Sequence, residues 1–295
     1  MTNLITGMMK VLKKNYLITN SNTISVTSGS GTISNIYDLN KATRWQSSGA
    51  SDIVTEIIEI EFNSAVAINA MAFLNFNWKE FQAFYDSGGA WTEFEGVYSD
   101  EGFIIGDVYG TGIYGSASYG MTDKLKYTDN SRDSRYFEFT EVSSLTKIRI
   151  ETTATQTANQ EKSLYELYIG KTIGTFTEDL ACYPNSYEAI SRYTNNSVLE
   201  KSNGGSVRIE KSDKYRSVLS IRELWETNDQ ELIENMIDEG EFNIYPSGGS
   251  GEYTINGWRA RDMYNVVFVG DLQAQHAVGR DSNIGYNYDF ELRET

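Results

Sequence analysis

From Ile24 to Ile169, apolar side chains recur at every second position in short runs, and the runs are separated by Gly, Ser, Asn and Asp. A period of two is what a strand needs when one face is buried and the other is wet. The clearest run is Glu56 to Phe62, in which Ile58, Ile60 and Phe62 are expected to face a core while Glu59 and Glu61 face water. Similar runs at Ala70 to Trp78, Arg135 to Phe139, Lys147 to Ile150 and Leu164 to Ile169 predict a β-sandwich rather than alternating strand and helix. Aromatic residues at 13%, with only two prolines, suit pleated half-buried surfaces.

A chain of 295 residues is about twice the usual length of one domain, so two cores are expected. Residues 1–20 read as an N-terminal arm whose Met8, Met9, Val11 and Leu12 form an apolar stripe, either docked on a partner or frayed. The sandwich is expected over 21–173, since the alternation ends after Gly170. It carries a Gly/Tyr-rich insertion at 102–120, where Tyr109, Tyr114 and Tyr119 recur every five residues, each followed by Gly. Such a loop is suited to meeting a partner surface, or simply covers one end of the sandwich.

Residues 174–295 have a different pattern. Strands are expected at Ser206 to Lys211, Tyr215 to Ile221, Tyr264 to Gly270 and Tyr286 to Leu292. One helix is expected from Asn228 to Glu239. Thr227 and Gln230 have the spacing of a capping box, Gly240 supplies the stop, and Leu232, Ile233, Met236 and Ile237 make an apolar stripe. The expected fold class is therefore mostly β: a sandwich followed by a smaller α+β domain with one amphipathic helix.

Charge and motifs exclude several functions. Twenty-five Lys+Arg against 41 Asp+Glu give −16, which repels phosphate backbones and argues against nucleic-acid binding. Cys182 is the sole cysteine, so no internal disulfide framework or cysteine-rich zinc site is available. The opening apolar stretch is broken by Gly7 and Lys10, which is not the pattern of a signal peptide, and no later run is long enough to insert in a membrane. His276, the sole histidine, lies in a polar segment without a nucleophile elbow, and no phosphate-cradling or dinucleotide-binding glycine loop occurs. The chain reads as a binding protein and not an enzyme. The weak exception is a carboxylate pair drawn from Asp100, Glu101 and Asp107 near Trp91, against the plainer reading of a solvated loop.

The segment Ile36-Tyr37-Asp38-Leu39-Asn40-Lys41-Ala42-Thr43-Arg44-Trp45, followed by strands at Ile57 to Phe62 and Val66 to Leu74 and a closing Leu164-Tyr165-Glu166-Leu167-Tyr168, carries a recognisable signature. Over about residues 20 to 170 it resembles the discoidin and coagulation-factor C-domain group and related carbohydrate-binding modules, the galactose-binding-like sandwiches. The resemblance implies a jelly roll with Trp45 buried. It also implies a structural calcium held by Asp38, Asn40, Thr43 and Glu166, unless Asp38 merely caps a turn, Thr43 bonds the backbone and Glu166 pairs with a cation. Ligands in the group are held by loops at one end of the sandwich, often on exposed aromatics; Trp78, Tyr85 and Trp91 are the matching candidates.

The whole layout, a leaderless sandwich with a Tyr-Gly loop followed by an acidic α+β domain containing NIYPSGG and Gly257-Trp258-Arg259, is similar in style to bacteriophage tail and baseplate proteins. That resemblance implies a virion component assembled in the host cytoplasm, in which Tyr109, Tyr114 and Tyr119 contact further copies or other tail proteins. The alternative is a carbohydrate-binding adhesin that recognises host surface glycans through Trp78, Tyr85 and Trp91.

Overall fold

The computed structural model describes residues 8–20, 22–40, 42–99, 133–175, 191–200, 206–224, 227–247, 254–255, 258–259, 263–278 and 284–295. The chain forms two compact units, Lys14–Thr172 and the combination of Met1–Lys13 with Ile173–Thr295. The first strand, β1 (Met8–Lys13), thus belongs to the unit built mainly from the C-terminal residues. Among the described residues no helix is long and apolar enough to cross a membrane.

In the Lys14–Thr172 unit, β2 (Asn22–Val26), β4 (Glu56–Phe76), β7 (Asp133–Thr152), β5 (Phe81–Asp86) and β6 (Trp91–Ser99) lie side by side in the order β2-β4-β7-β5-β6. In addition, β9 (Glu166–Gly170) pairs with β4, and β3 (Trp45–Gln46) pairs with β8 (Ser163–Leu164). Strands β4 and β7, at 21 and 20 residues, are several times the usual length, and each serves two layers. The first half of β4 pairs with β2 from Asn22↔Phe62 to Val26↔Ile58; its second half pairs with β9 from Ala70↔Gly170 to Leu74↔Glu166. Between the halves the register against β7 shifts at Glu61/Val66, Val66/Ile68 and Ile68/Ala70, and such bulged corners carry a strand from one layer to the next. The bulges also change parity, so Ile58, Ile60, Phe62 and Ile68 reach the core before the corner and Met71 and Phe73 after it.

Trp45 is completely buried, as the resemblance implied. It meets Trp78 edge-on at 6.2 Å, and Trp78 in turn packs against Phe73, Phe76 and Phe81 at 5.6–5.9 Å. The indole N–H of Trp45 donates to the Ser28 carbonyl at 3.2 Å. That approach requires Gly29, whose φ of +69° is left-handed and whose added Cβ would lie 1.9 Å from the Gln46 carbonyl. The two ends of this unit are stitched by Asn15, 1% exposed, which donates to the Leu167 carbonyl and accepts the N–H of Ile169.

One end of the sandwich buries polar groups. Lys162 is fully buried and donates from Nζ to the Ser51 carbonyl at 2.9 Å. Desolvation pulls its pKa below the ordinary lysine value, against the opposing charges of Glu56 and Asp52. Asp52 accepts the N–H and hydroxyl of Thr155 and the N–H of Asn159. Desolvation alone would raise its pKa, but these donors, with the charge of Lys162, hold it below the ordinary aspartate value.

In the other unit β1 pairs antiparallel with β13 (Glu241–Ser247), from Met8↔Ser247 to Lys13↔Phe242. The apolar stripe of the arm therefore docks within its own chain, with Val11 and Leu12 fully buried. The sheet has seven strands in the order β10-β1-β13-β16-β17-β12-β11, where β10 is Thr172–Thr175, β11 Ser191–Glu200, β12 Ser206–Leu224, β16 Tyr264–Val278 and β17 Ile284–Glu294. After the short α1 (Tyr16–Thr19) of the first unit, the helix α2 (Thr227–Glu239) ends at Gly240, whose φ is +72° and whose N–H reaches the Met236 and Ile237 carbonyls. Leu232, Ile233 and Met236 are buried as expected, but Ile237 is 43% exposed. The buried stripe is one residue narrower than the sequence suggests, because Ile237 lies at its solvent edge. The whole is mostly β, a sandwich and an α+β unit with one amphipathic helix.

Candidate functional site

The outer face of the β2-β4-β7-β5-β6 sheet holds an arrangement of aromatic and charged groups. Backbone register places Glu59 opposite Arg149, Arg149 opposite Phe84, and Phe84 opposite Glu93, so these four share one row and one face. The neighbouring positions Glu61↔Lys147 and Asp86↔Trp91 continue that face. Trp91 follows the β5–β6 turn, where Gly88 and Gly89 take φ of +95° and +98° and the Ser87 N–H donates to the Ala90 carbonyl at 2.9 Å. The turn is further pinned by a 2.8 Å hydroxyl contact between Ser87 and Thr92. Trp91 is thereby presented from a braced hairpin.

Trp91 is 38% exposed, whereas Trp45 and Trp78 are fully buried. The guanidinium of Arg149 lies over its ring, 4.5 Å from the centroid. Arg149 is held in turn: Nε and Nη2 donate to Glu59 Oε1 at 2.8 and 2.6 Å, and Nη1 to Glu151 Oε1 at 3.4 Å. An aromatic ring is thus fixed over a sheet, with one side against an oriented cation and with carboxylates around it. The chemistry available to this surface is adhesion: apolar stacking on the indole, and hydrogen bonding to the surrounding charged groups.

The other expected aromatic ligands sit elsewhere. Trp78 is fully buried, so it cannot meet a ligand; it lies just past the end of β4, where its ring fills the space between Trp45, Phe76 and Phe81. Tyr85 alternates with Phe84 and so points to the other side of the sheet, where its ring packs on Phe94 at 4.9 Å and against the core. Tyr109, Tyr114 and Tyr119, like Asp100, Glu101 and Asp107, lie outside the described residues. The backbone of His276 lies on β16 opposite Tyr286. Sequence reasoning missed Arg149, Glu59 and Glu151, although the alternating Lys147-Ile148-Arg149-Ile150-Glu151 opposite Glu59 and Glu61 carried the signal.

Of the four residues implied for calcium, Asp38, Asn40 and Thr43 close a loop. Asp38 Oδ1 accepts the Asn40 N–H at 2.8 Å and Oδ2 accepts the Thr43 hydroxyl at 2.7 Å, while Asn40 Oδ1 accepts the Ala42 N–H at 3.1 Å. Glu166 is 8% exposed on β9, opposite Leu74. Calcium takes about six to eight oxygens with their lone pairs turned toward the ion. Here the side-chain oxygens of Asp38 and Asn40 already face donors of their own loop, and among the described residues no group of three or more His, Cys, Asp or Glu is placed to hold a metal. These contacts give Asp38 the part of a turn cap.

No protein-family model matches the chain, and no curated protein does. Solved structures do match about half of the chain. A pectin-binding carbohydrate-binding module is 18% identical, over 50% of this chain and 88% of its own, at a TM-score of 0.32. Chitosan-binding module 1 of a chitosanase/glucanase from Paenibacillus sp. IK-5 is 18% identical, over 53% of this chain and 98% of its own, at 0.35. A GH29 fucosidase from Ruminococcus gnavus is 14% identical over 56% of this chain; the matched part spans 27% of the fucosidase, at 0.37.

Proposed function

We propose that the sandwich is a carbohydrate-binding unit and that its platform is the outer sheet face around Trp91. The observation that carries this reading is the exposed indole held in place by Arg149, itself oriented by Glu59 and Glu151. Sugar rings have an apolar C–H face and a polar rim. An indole covers the first, while charged groups at hydrogen-bonding distance from the ring edge satisfy the second. Removing about 60 Å² of apolar area on such a ring from water contributes roughly 1.5 kcal/mol. Because the cation under the ring is already oriented, little side-chain entropy is lost on binding.

The test is a glycan array followed by calorimetry on the full chain. Binding to a subset of glycans is expected, with Trp91→Ala abolishing it while the circular dichroism spectrum stays unchanged. The rival reading, assembly into a phage tail, rests on layout alone. A silent array together with ring formation, or recovery of the protein in purified virions, would favour that rival and remove the present one.

A further inference from the structure

Resting on the glycan-binding reading, we infer that this face selects an amine-bearing glycan, a glucosamine-type oligosaccharide in its protonated form, over neutral and uronate sugars. The basis is the charge that surrounds the indole. Glu59, Glu61, Asp86, Glu93 and Glu151 stand on the face, or in ion pairs at it, against two cations, Lys147 and Arg149. Among the described residues, five carboxylates less two cations leave three negative charges. Both cations are already engaged, Lys147 with Glu61 at 3.2 Å and Arg149 with Glu59 at 2.6 Å and Glu151 at 3.4 Å. Among the described residues no cation is paired with Asp86 or Glu93.

Those two carboxylates flank the ring. Asp86 is directly across the hairpin from Trp91, and Glu93 is two residues further along β6 on the same face. Neighbouring strands are about 4.8 Å apart and diagonal neighbours about 7–8 Å, so a sugar stacked on Trp91 lies within one screening length, about 8 Å, of both charges. An ammonium on that sugar gains from both. A uronate in the same place is repelled by both, and the nearby Arg149 guanidinium is already occupied by Glu59 and Glu151. Exposed charge pairs change affinity by about 1.4- to fivefold each, so the two together predict about a two- to twenty-five-fold preference for the amine over its N-acetylated counterpart.

Calorimetry on the full chain decides this, using glucosamine, N-acetylglucosamine and galacturonate oligomers of equal length at about pH 6 and in about 50 mM and 1 M salt. The glucosamine oligomer is expected to bind tightest, with the preference collapsing in high salt. Glu93→Gln is expected to shrink the ratio of amine to N-acetylated affinity, and Trp91→Ala to weaken all binding. Equal affinity for the amine and its N-acetylated form, or tightest binding of the uronate, overturns the charge selection and leaves the glycan-binding reading standing. Failure of every oligomer to bind, together with a silent glycan array, overturns both.

Discussion

On the inner face of the β2-β4-β7-β5-β6 sheet, Ile58, Ile60, Ile148, Ile150, Ala83 and Phe94 are at most 1% exposed. One residue along the same strands, the outer face carries Glu59, Glu61, Lys147, Arg149 and the half-open Trp91. The backbone is shared, so the difference lies entirely in what the side chains meet. Inside, shape and buried area set stability. Outside, ion pairs across solvent contribute little to it, which leaves those side chains free to be chosen for what they bind.

The contrast can be broken by mutation, beginning inside. Phe73→Ala, which empties space beside Trp78, Phe76 and Phe81, is expected to cost about 3–5 kcal/mol in urea unfolding. A loss below about 1 kcal/mol would mean the aromatic cluster is not the core. Next comes the buried polar end. Asp52→Asn is expected to cost about 1.5–3 kcal/mol at neutral pH, because three donors lose a charged acceptor. The sign with pH is fixed: a carboxyl whose folded pKa lies below its ordinary 3.8 favours the fold above that value, and the benefit drains as pH falls through the lower folded value. Urea midpoints at neutral and strongly acidic pH should therefore differ less in Asp52→Asn than in the parent.

On the outer face the effects shrink and change kind. Trp91→Ala is expected to cost only about 0.5–1 kcal/mol in stability, the worth of an exposed cation–π contact, while abolishing glycan binding. A large stability loss there would mean Trp91 is a core residue after all. Glu61→Gln is expected to move stability by no more than about 0.5 kcal/mol, and by less in high salt. Smallest of all, calcium or a chelator is expected to leave the melting temperature unchanged. A calcium-dependent rise that vanishes in Asp38→Ala would show that an ion replaces the loop's own hydrogen bonds.

Much of this was legible in the chain because burial imposes a period. The Glu56–Phe62 run shows the alternation its pattern predicts, and Trp45 lies in the core. What did not show was geometry set by distant partners. The merging of Ala70 to Trp78 with Glu56 to Phe62 into one bent strand depends on bulges against β7, and bulges leave no composition mark. The resemblance alone offers Trp78 and Tyr85 as ligand-binding aromatics. A ring just beyond a strand end can turn inward, as Trp78 does, and only strand parity tells Tyr85 from Phe84. Lys162 was invisible as a core residue, since a lysine in a polar run is ordinarily solvated. Asp38 was identified as an oxygen ligand by resemblance, and its local partners give it the turn-capping role left open beside that reading.

The pairing of β1 with β13 has a kinetic side. The register partner of Lys13 on β13 is Phe242, 229 residues later by difference of their numbers, so this side of β1 stays open well after β10, its neighbour on the other side, has been made. At roughly 5–20 residues per second on a ribosome that is roughly ten to fifty seconds. Through that interval Val11 and Leu12 are an unclosed hydrophobic edge, while the sandwich that separates them from their partner holds its own two ends together through Asn15. A nascent chain of this kind completes its middle before its beginning, and its beginning becomes the site most exposed to chaperones and to unintended pairing.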